Sequence, residues 1–318
     1  MRTSISEDAG RGVTGRRLFC FGLGYSARAL ADRLLRDGWR VAGTVRRPER
    51  AQALARAGIE PFLFERDKPL AEARAALAGT THLLSSVPPD AGGDAVLDHH
   101  GAEIAATPGL AWLGYLSSTG VYGDREGGSV DEETKALPTS GRGKRRLAAE
   151  EAWQALALEH RLPLHIFRLA GIYGPGRSAI DSLRAGTARR IDKPGQLFSR
   201  IHVEDIAAVL VASIGRPRPG AIYNLADDLP AASADVVAYA AELLGVAAPP
   251  LIALDEAVLS PMAASFYGES RRVLNERIKR ELGVELRYPD YRAGLAAILA
   301  AERGELRAAA PRERPRSE

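Results

Sequence analysis

The sequence predicts an α/β fold with a doubly wound parallel sheet. Short apolar runs alternate with helical patterns along the chain, and this alternation is typical of right-handed βαβ units. A glycine-rich turn follows the first apolar run directly and opens a helix, as in Rossmann folds that bind a dinucleotide. We therefore expect a Rossmann sheet with a smaller C-terminal substrate lobe.

The first part of the chain supplies the elements of this sheet in order. Buried strands are predicted for RRLFCFG (16–22), WRVAGTV (39–45), IEPFLF (59–64), THLLSSV (81–87), AWLGYLSS (111–118) and LPLHIFRL (162–169). The intervening helical segments are SARALADRLLRDG (26–38), ERAQALARAG (49–58) and AEARAALAG (71–79). Gly38 ends the first of these helices.

The domain organisation follows from where this alternation stops. The Rossmann domain is expected at 16–174 plus 200–226, and the substrate-binding lobe at 175–199 and 227–303. Residues 1–15 and 304–318 are polar and lack any apolar period, so they are predicted to be disordered tails.

Composition and charge exclude several classes of protein. The net charge is only +3 in a chain of 318 residues, without zinc-finger spacing or a basic block, so no nucleic-acid partner is expected. No apolar stretch is long enough to cross a membrane, and we expect a cytoplasmic protein that binds a small molecule. The paired His99 and His100 lack a third ligand, so no metal site is predicted. The lone Cys20 is expected to be a buried, inert thiol.

The sequence GLGYSA is the candidate cofactor turn. Gly22 permits the tight turn, Gly24 lets backbone N–H groups approach a pyrophosphate, and the small Ala27 lets the helix pack closely. The residues predicted to bind the cofactor from this and neighbouring loops are Gly22, Leu23, Gly24, Tyr25, Ser26, Ala27, Thr44, Arg46, Arg47, Val87, Pro88, Ser117 and Arg146.

The end of the second strand indicates which cofactor binds. NAD-preferring sites place a carboxylate here to hold the ribose 2′-hydroxyl, but this chain carries Thr44, Arg46 and Arg47. Arginine pairs well with a 2′-phosphate. NADP(H) is therefore predicted in preference to NAD(H), with the alternative that these arginines only solvate a loop.

From residue 111 onward the chain resembles the extended short-chain dehydrogenase/reductases, the NAD-dependent epimerase/dehydratase group. The segments that carry this resemblance are YLSSTGVYGD (115–124), FRLAGIYGPGR (167–177), RIHVEDIAAVL (200–210), AIYNLADDLPAASADVVAYAAELLG (221–245) and RIKRELGVELRYPDYRAGL (277–295). The similarity extends over about residues 17–300. Family analogy alone suggests a homodimer.

The resemblance implies a serine, a tyrosine and a lysine as catalytic groups. Ser118 stands where the family binds the reacting oxygen. Because RLAAEE here matches KLAAEE in the family, Arg142 and Arg146 stand where its tyrosine and lysine would be. Arginine stays protonated near neutral pH, so neither is an acid/base. The resemblance thus implies an atypical member that lacks the dyad, with Arg146 as a candidate to hold ribose or phosphate.

Two other tyrosines border the same motifs. One hypothesis is that Tyr122 or Tyr173 replaces the missing phenol; the alternative is that both are packing residues. The resemblance also implies that sugar dehydration is not expected, because Thr119 and Gly120 stand where dehydratases carry an Asp-Glu pair directly after the active-site threonine. The acidic run at 131–134 is expected to be a solvated loop, and His202 a structural residue.

Two functional hypotheses remain open. The first is an NADP(H)-dependent oxidoreductase or epimerase-like enzyme acting on a small polar substrate, nucleotide-linked substrates included. The second is a catalytically silent NADP(H)-binding sensor or scaffold. The intact motifs of the substrate lobe favour the enzyme, and the missing tyrosine and lysine favour the silent protein.

Overall fold

The computed structural model describes residues 15–304. The two predicted tails lie outside this range, apart from Gly15 and Gly304 at their inner ends. Within the described range, no helix combines the length and the apolar character that a membrane crossing requires.

Strands and helices alternate through the first part of the chain, as the apolar runs predict. Their bounds are β1 (Arg17–Phe21), α1 (Tyr25–Arg36), β2 (Arg40–Val45), α2 (Pro48–Arg56), β3 (Glu60–Leu63), α3 (Ala73–Leu77), β4 (His82–Ser85), α4 (Ala95–Ala105) and β5 (Trp112–Ser118). A short 3₁₀ helix, Thr119–Tyr122, follows β5 directly. The predicted strands are confirmed, with ends that differ by at most two residues.

The second part of the chain contains shorter strands. The elements are β6 (Ser129–Val130), α5 (Gly141–His160), β7 (Leu164–Leu169), β8 (Gly171–Tyr173), α6 (Ala179–Arg184), β9 (Arg190–Asp192), β10 (Arg200–His202), α7 (Val203–Gly215), β11 (Ile222–Leu225), α8 (Ser233–Leu244), β12 (Leu251–Ala253), α9 (Pro261–Tyr267), β13 (Arg272–Val273), α10 (Glu276–Leu282) and α11 (Tyr291–Glu302). Small parallel pairs join β8 with β10, β9 with β12, and β6 with β13.

Seven strands form one parallel sheet in the order β3-β2-β1-β4-β5-β7-β11. The order reverses at β1, which pairs with β2 on one side and β4 on the other. In this register Cys20 is opposite Gly43 and Phe21 is opposite Ser85. The loops after β1, β2 and β4 therefore begin at neighbouring points of one sheet edge, where parallel α/β sheets bind ligands.

The central strand is buried on both faces. All five residues of β1 are buried, including Cys20, as expected for an interior strand of a parallel sheet whose faces are both covered. Burial also raises the pKa of the Cys20 thiol. A thiol that resists ionisation is a poor nucleophile, so the predicted inert role of Cys20 agrees with its surroundings.

The described chain forms two compact units. The first consists of residues 15–116, 148–166 and 217–221, and the second of residues 117–147, 167–216 and 222–304. The chain passes between the two units within β5, within α5 and within β7. It passes between them again just before residue 217 and just after residue 221. The predicted domain boundaries, which follow sequence motifs, stay predictions.

Candidate functional site

The turn after β1 is held by groups from β2 and from the loop after β4. Gly22 has φ +80°, a backbone angle that side chains rarely tolerate. Its N–H donates to Thr44 Oγ1 at 2.8 Å, and its carbonyl accepts from the Ser86 hydroxyl. A Cβ on Gly22 would lie 3.0 Å from Val87 Cγ2 and 3.2 Å from Val87 N. Both the backbone angle and the close approach therefore require glycine.

The N-terminus of α1 faces open space. Gly24 is its N-cap residue, and no side chain among the described residues caps the helix. Apart from its chain neighbours, no heavy atom of the described residues lies within 4 Å of where a Gly24 Cβ would be. Ala27 is fully buried. An uncapped helix N-terminus beside unobstructed backbone is suited to hold a phosphate group.

Gly43 on β2 supports the turn, although the sequence pattern did not single it out. A Cβ there would overlap Leu23 Cδ1 and would lie 2.8 Å from the Cys20 carbonyl oxygen. Leu23 N donates to the Thr44 carbonyl oxygen at 2.7 Å. Leu23 is thus buried against β2 only because Gly43 has no side chain. A glycine inside a strand was the available signal for this close approach.

The end of β2 presents the two predicted arginines. Arg46 and Arg47 are exposed, and neither guanidinium has a hydrogen-bond or ion-pair partner within residues 15–304. Thr44, in contrast, is only 1% exposed and its hydroxyl serves the glycine turn. The two guanidinium groups are therefore available to a ligand, whereas Thr44 positions Gly22.

The remaining predicted cofactor residues fall in different places. Tyr25 is half-buried, Ser26 is buried at the start of α1, and Pro88 is exposed after β4. Ser117 belongs to the second unit, where its hydroxyl is buried without a hydrogen-bond partner among the described residues. Their contribution to cofactor binding stays a prediction.

Ser118 ends β5 and caps the 3₁₀ helix that follows. Its Oγ accepts the Gly120 N–H at 3.1 Å, which fixes the side-chain position while the hydroxyl proton has no acceptor in the described chain. The side chain is half-buried. Ser118 is thus held as a donor that a bound carbonyl or hydroxyl oxygen can use.

The first turn of α5 packs on this 3₁₀ helix through a glycine. A Cβ on Gly143 would lie 2.6 Å from the Gly120 carbonyl oxygen, and Gly143 N donates to Ser140 Oγ at 3.2 Å. On the same turn Arg142 is exposed, with its guanidinium 4.6 Å from the Phe266 ring centroid. Arg146, one turn later, is half-buried.

Arg271 lies beside these groups and was missed by the sequence analysis. Its Nη1 donates to the Gly123 carbonyl oxygen at 2.7 Å and to Glu269 Oε2 at 2.7 Å. Glu269 also accepts from Thr139 Oγ1 at 2.8 Å. Although burial opposes it, these hydrogen bonds lower the pKa of Glu269. Because Gly123 and Arg271 are 148 residues apart, no local pattern could have brought them together.

The contacts of Tyr122 favour its packing alternative. The residue is fully buried and its hydroxyl donates to Asn224 Oδ1 at 2.8 Å. The Arg168 guanidinium lies 4.9 Å from its ring centroid. Burial raises the pKa of the phenol, although Arg168 and Asn224 oppose the shift. A proton-transfer group needs a pKa brought toward neutrality, whereas this environment moves it away.

Tyr173 is also committed to packing contacts. It lies in a buried apolar cluster of the second unit, and its hydroxyl donates to the Asp290 carbonyl oxygen at 3.2 Å. Burial, together with the Asp227 and Asp205 carboxylates, raises the pKa of the phenol. The catalytic role proposed for Tyr122 or Tyr173 stays a prediction, and these surroundings do not favour it.

His202 has the contacts of a structural residue. It caps α7, where its Nδ1 accepts the Glu204 N–H at 3.2 Å. Asp205 accepts the backbone N–H groups of Arg287 at 2.9 Å and Tyr288 at 3.0 Å. These bonds join α7 to the segment before α11 and agree with the structural role predicted for His202.

The prediction of a solvated loop at 131–134 is wrong for Glu132. Its side chain is 4% exposed, and Oε1 accepts the Asn224 N–H at 2.7 Å. The sequence predicted a solvated run because the burial of Glu132 depends on Asn224, which lies 92 residues later.

Among residues 15–304, no three His, Cys, Asp or Glu side chains are grouped so that they could hold a metal ion.

Comparison with known families gives a match over most of the chain. The model of the "NAD dependent epimerase/dehydratase family" matches residues 22–226. Among proteins with curated descriptions, Protein YeeZ of Escherichia coli (strain K12) is 29% identical over 298 residues, which cover 86% of this chain and 97% of YeeZ.

Solved structures with the same fold cover nearly the whole chain. A functionally unknown conserved protein from Silicibacter pomeroyi is 53% identical with a TM-score of 0.82, and the match covers 90% of this chain and 99% of that one. UDP-glucuronic acid 4-epimerase from Bacillus cereus, solved in complex with NAD, has a TM-score of 0.70 at 14% identity and covers 91% and 99%. At that identity the likeness shows the fold alone.

Proposed function

Because the chain belongs to the NAD dependent epimerase/dehydratase family, we propose that it binds a nicotinamide dinucleotide and acts on a small polar substrate as an oxidoreductase or epimerase-like enzyme. Nucleotide-linked substrates are included in this class. The observation that carries the proposal is the glycine turn, where Gly22 is fixed by Thr44 and the N-terminus of α1 lies uncapped beside Gly24.

The residues of the first unit fit a bound dinucleotide. The N–H groups at the start of α1 and the open backbone at Gly24 would hold the pyrophosphate. Arg46 and Arg47, exposed and without partners in the described chain, would pair with a ribose 2′-phosphate. These arginines support NADP(H) over NAD(H), since NAD sites carry a carboxylate at this point.

The residues of the second unit would orient the substrate. When bound, the nicotinamide supplies hydride transfer. Ser118 Oγ, fixed by the Gly120 N–H, would donate a hydrogen bond to the substrate oxygen and hold it in place. Arg142 and Arg146 occupy the tyrosine and lysine positions implied by the family motif, which makes the chain an atypical member. Arg146 would hold ribose hydroxyls or a phosphate without serving as a base.

A catalytically silent NADP(H)-binding protein is the second candidate function. The observation that favours it is that the phenols of Tyr122 and Tyr173 are buried, hydrogen-bonded and raised in pKa. Neither tyrosine is then suited to transfer a proton near neutral pH. In this case the nucleotide would shift the conformation of a sensor or scaffold.

Calorimetric titration with NADPH and, separately, NADH tests the shared part of both candidates. We expect NADPH to bind with micromolar affinity and NADH at least tenfold more weakly. Absence of binding by either nucleotide would refute both candidate functions.

NADPH oxidation with a panel of carbonyl compounds then separates the enzyme from the silent protein. Turnover by the wild type supports the enzyme. If only the Arg142→Tyr/Arg146→Lys double variant turns over, the site is otherwise assembled and the wild type is silent. A matched Lys144→Gln/Arg145→Gln variant, changed on the same helix, controls for unspecific effects of altered charge.

A further inference from the structure

The 3₁₀ helix after β5 has an open space with two polar groups at its edge. A Cβ on Gly120 would meet two side-chain atoms within 4 Å, Ser118 Oγ at 3.4 Å and Arg271 Nη2 at 4.0 Å. Apart from the chain neighbours of Gly120 and the backbone of its own helix, no other heavy atom of the described residues lies that close. A hydroxyl donor and a guanidinium therefore border the same space.

Arg271 is anchored through one nitrogen and presents the others. Nη1 makes both hydrogen bonds of the guanidinium, to Gly123 and to Glu269, whereas Nε and Nη2 have no acceptor among residues 15–304. The side chain is 15% exposed, so its position is fixed without being closed to a ligand. The Nε–Nη2 edge of arginine matches the two oxygens of a carboxylate.

The local charge favours a single negative group. Glu269 is paired with Arg271 and neutralises part of its charge. A doubly charged phosphate needs more cationic groups than one shared guanidinium provides, whereas a monoanionic, planar carboxylate fits a single arginine fork. Ser118 contributes a neutral donor on the other side of the same space.

We propose that Arg271 and Ser118 form a carboxylate-recognition subsite, so that the substrates are hydroxy acids or oxo acids. Arg271 binds the carboxylate through Nε and Nη2, and Ser118 binds the nearby hydroxyl or carbonyl oxygen. The inference rests on the proposed function, because it takes the oxygen on Ser118 to be the one that reacts. The short separation of the two groups requires the carboxylate to lie within a few bonds of that oxygen.

Binding of small acids without any nucleotide tests the subsite directly. Lactate and 3-hydroxybutyrate are the probes, and lactamide and 3-hydroxybutyramide are their neutral counterparts, with binding followed by ligand-observed NMR. We expect the acids to bind the wild type in the millimolar range and each amide at least tenfold more weakly. Equal binding of acids and amides, or no binding of either acid, would overturn the inference.

Two variants assign the binding to one arginine. Arg271→Gln is expected to weaken acid binding at least tenfold, whereas Arg272→Gln changes the adjacent, exposed arginine and is expected to leave it within twofold. Because Arg271 also anchors Gly123, Arg271→Lys serves as a milder variant that keeps the charge and removes the fork. Acid affinity that both Arg271→Gln and Arg271→Lys retain would refute the assignment.

A second readout is taken on the wild type, and a variant is used only to assign the resonance. The arginine Nε–H resonance of Arg271, assigned by its loss in Arg271→Lys, is expected to shift on addition of lactate and not of lactamide. Inorganic phosphate that binds this group more tightly than lactate would overturn the choice of carboxylate.

The outcomes separate this inference from the proposed function. If NADPH binds but the acids do not, the subsite is refuted and nucleotide binding stands. If the acids bind through Arg271 but no nucleotide binds, the subsite stands and the proposed function falls.

Discussion

Gly24→Ala is expected to weaken nucleotide binding while it leaves the fold nearly unchanged. The backbone of Gly24 is extended, at φ −85° and ψ −162°, so alanine can adopt it without the left-handed strain of Gly22. A Cβ would meet nothing within 4 Å apart from its chain neighbours in the described residues. The only structural cost is the poorer N-cap, about 0.5–1 kcal/mol for alanine.

The effect on affinity follows from what the added methyl displaces. A phosphate oxygen bonded to the N–H groups of α1 lies about 2.9 Å from nitrogen, in the space that the Cβ would enter. Each charge-assisted hydrogen bond contributes about 1.5–3 kcal/mol. The loss of one such bond raises the NADPH dissociation constant about tenfold to a hundredfold.

Calorimetry and thermal unfolding together measure this prediction. We expect the melting temperature without nucleotide to fall by less than about 4 °C while the NADPH affinity falls at least tenfold. Gly22→Ala is the comparison variant, because its φ of +80° and its contacts with Val87 should reduce both stability and affinity. A Gly24→Ala protein that binds NADPH as tightly as the wild type would refute the placement of the pyrophosphate at α1.

Three further predictions concern other groups described above. In calorimetry, Arg46→Gln/Arg47→Gln should weaken NADPH binding at least tenfold and leave NADH binding unchanged. Arg50→Gln, which changes another exposed arginine, is the matched control. An equal loss for both nucleotides would contradict the 2′-phosphate assignment. Tyr122→Phe should lower the free energy of unfolding in urea by about 1–3 kcal/mol, because it leaves the buried Asn224 Oδ1 without its hydrogen-bond donor. A large fall in turnover with unchanged stability would instead support the catalytic hypothesis. Burial raises the pKa of Asp227 to about 8, although Arg200 opposes the shift, so its stabilising protonated form is lost as the pH rises toward that value. Between pH 6.5 and 8 the wild type should therefore lose up to about 1.4 kcal/mol of stability per pH unit relative to Asp227→Asn, as measured by urea unfolding; parallel pH profiles would contradict this.

The sheet could be predicted from the sequence because its signals are local. β1 and β4 lie in short apolar runs bounded by polar or glycine residues, and the composition of such a run is enough to predict a buried strand. The Gly22 turn was likewise recognisable, since a strand, two spaced glycines and a helix all lie within a few residues. The observed bounds of these elements differ from the predicted ones by at most two residues at either end.

Two residues of the second unit, Glu132 and Arg271, could not be predicted in the same way. Glu132 looks solvated within its acidic run, and only Asn224, 92 residues away, shows that it is buried. Arg271 reaches Gly123 across 148 residues. A single sequence records which groups are present but not which distant partners share a space, and both positions depend entirely on such partners.

The division of the first unit among three stretches of chain has a consequence for biosynthesis. Its last stretch, residues 217–221, is translated after two of the second unit's three segments, 117–147 and 167–216. On the ribosome, where chains emerge at about 5–20 residues per second, the turn at Gly22 is made early, but its unit stays incomplete until residue 221 has emerged. A premature stop before that point would release a chain with an unfinished first unit, and such a fragment exposes apolar strands to aggregation.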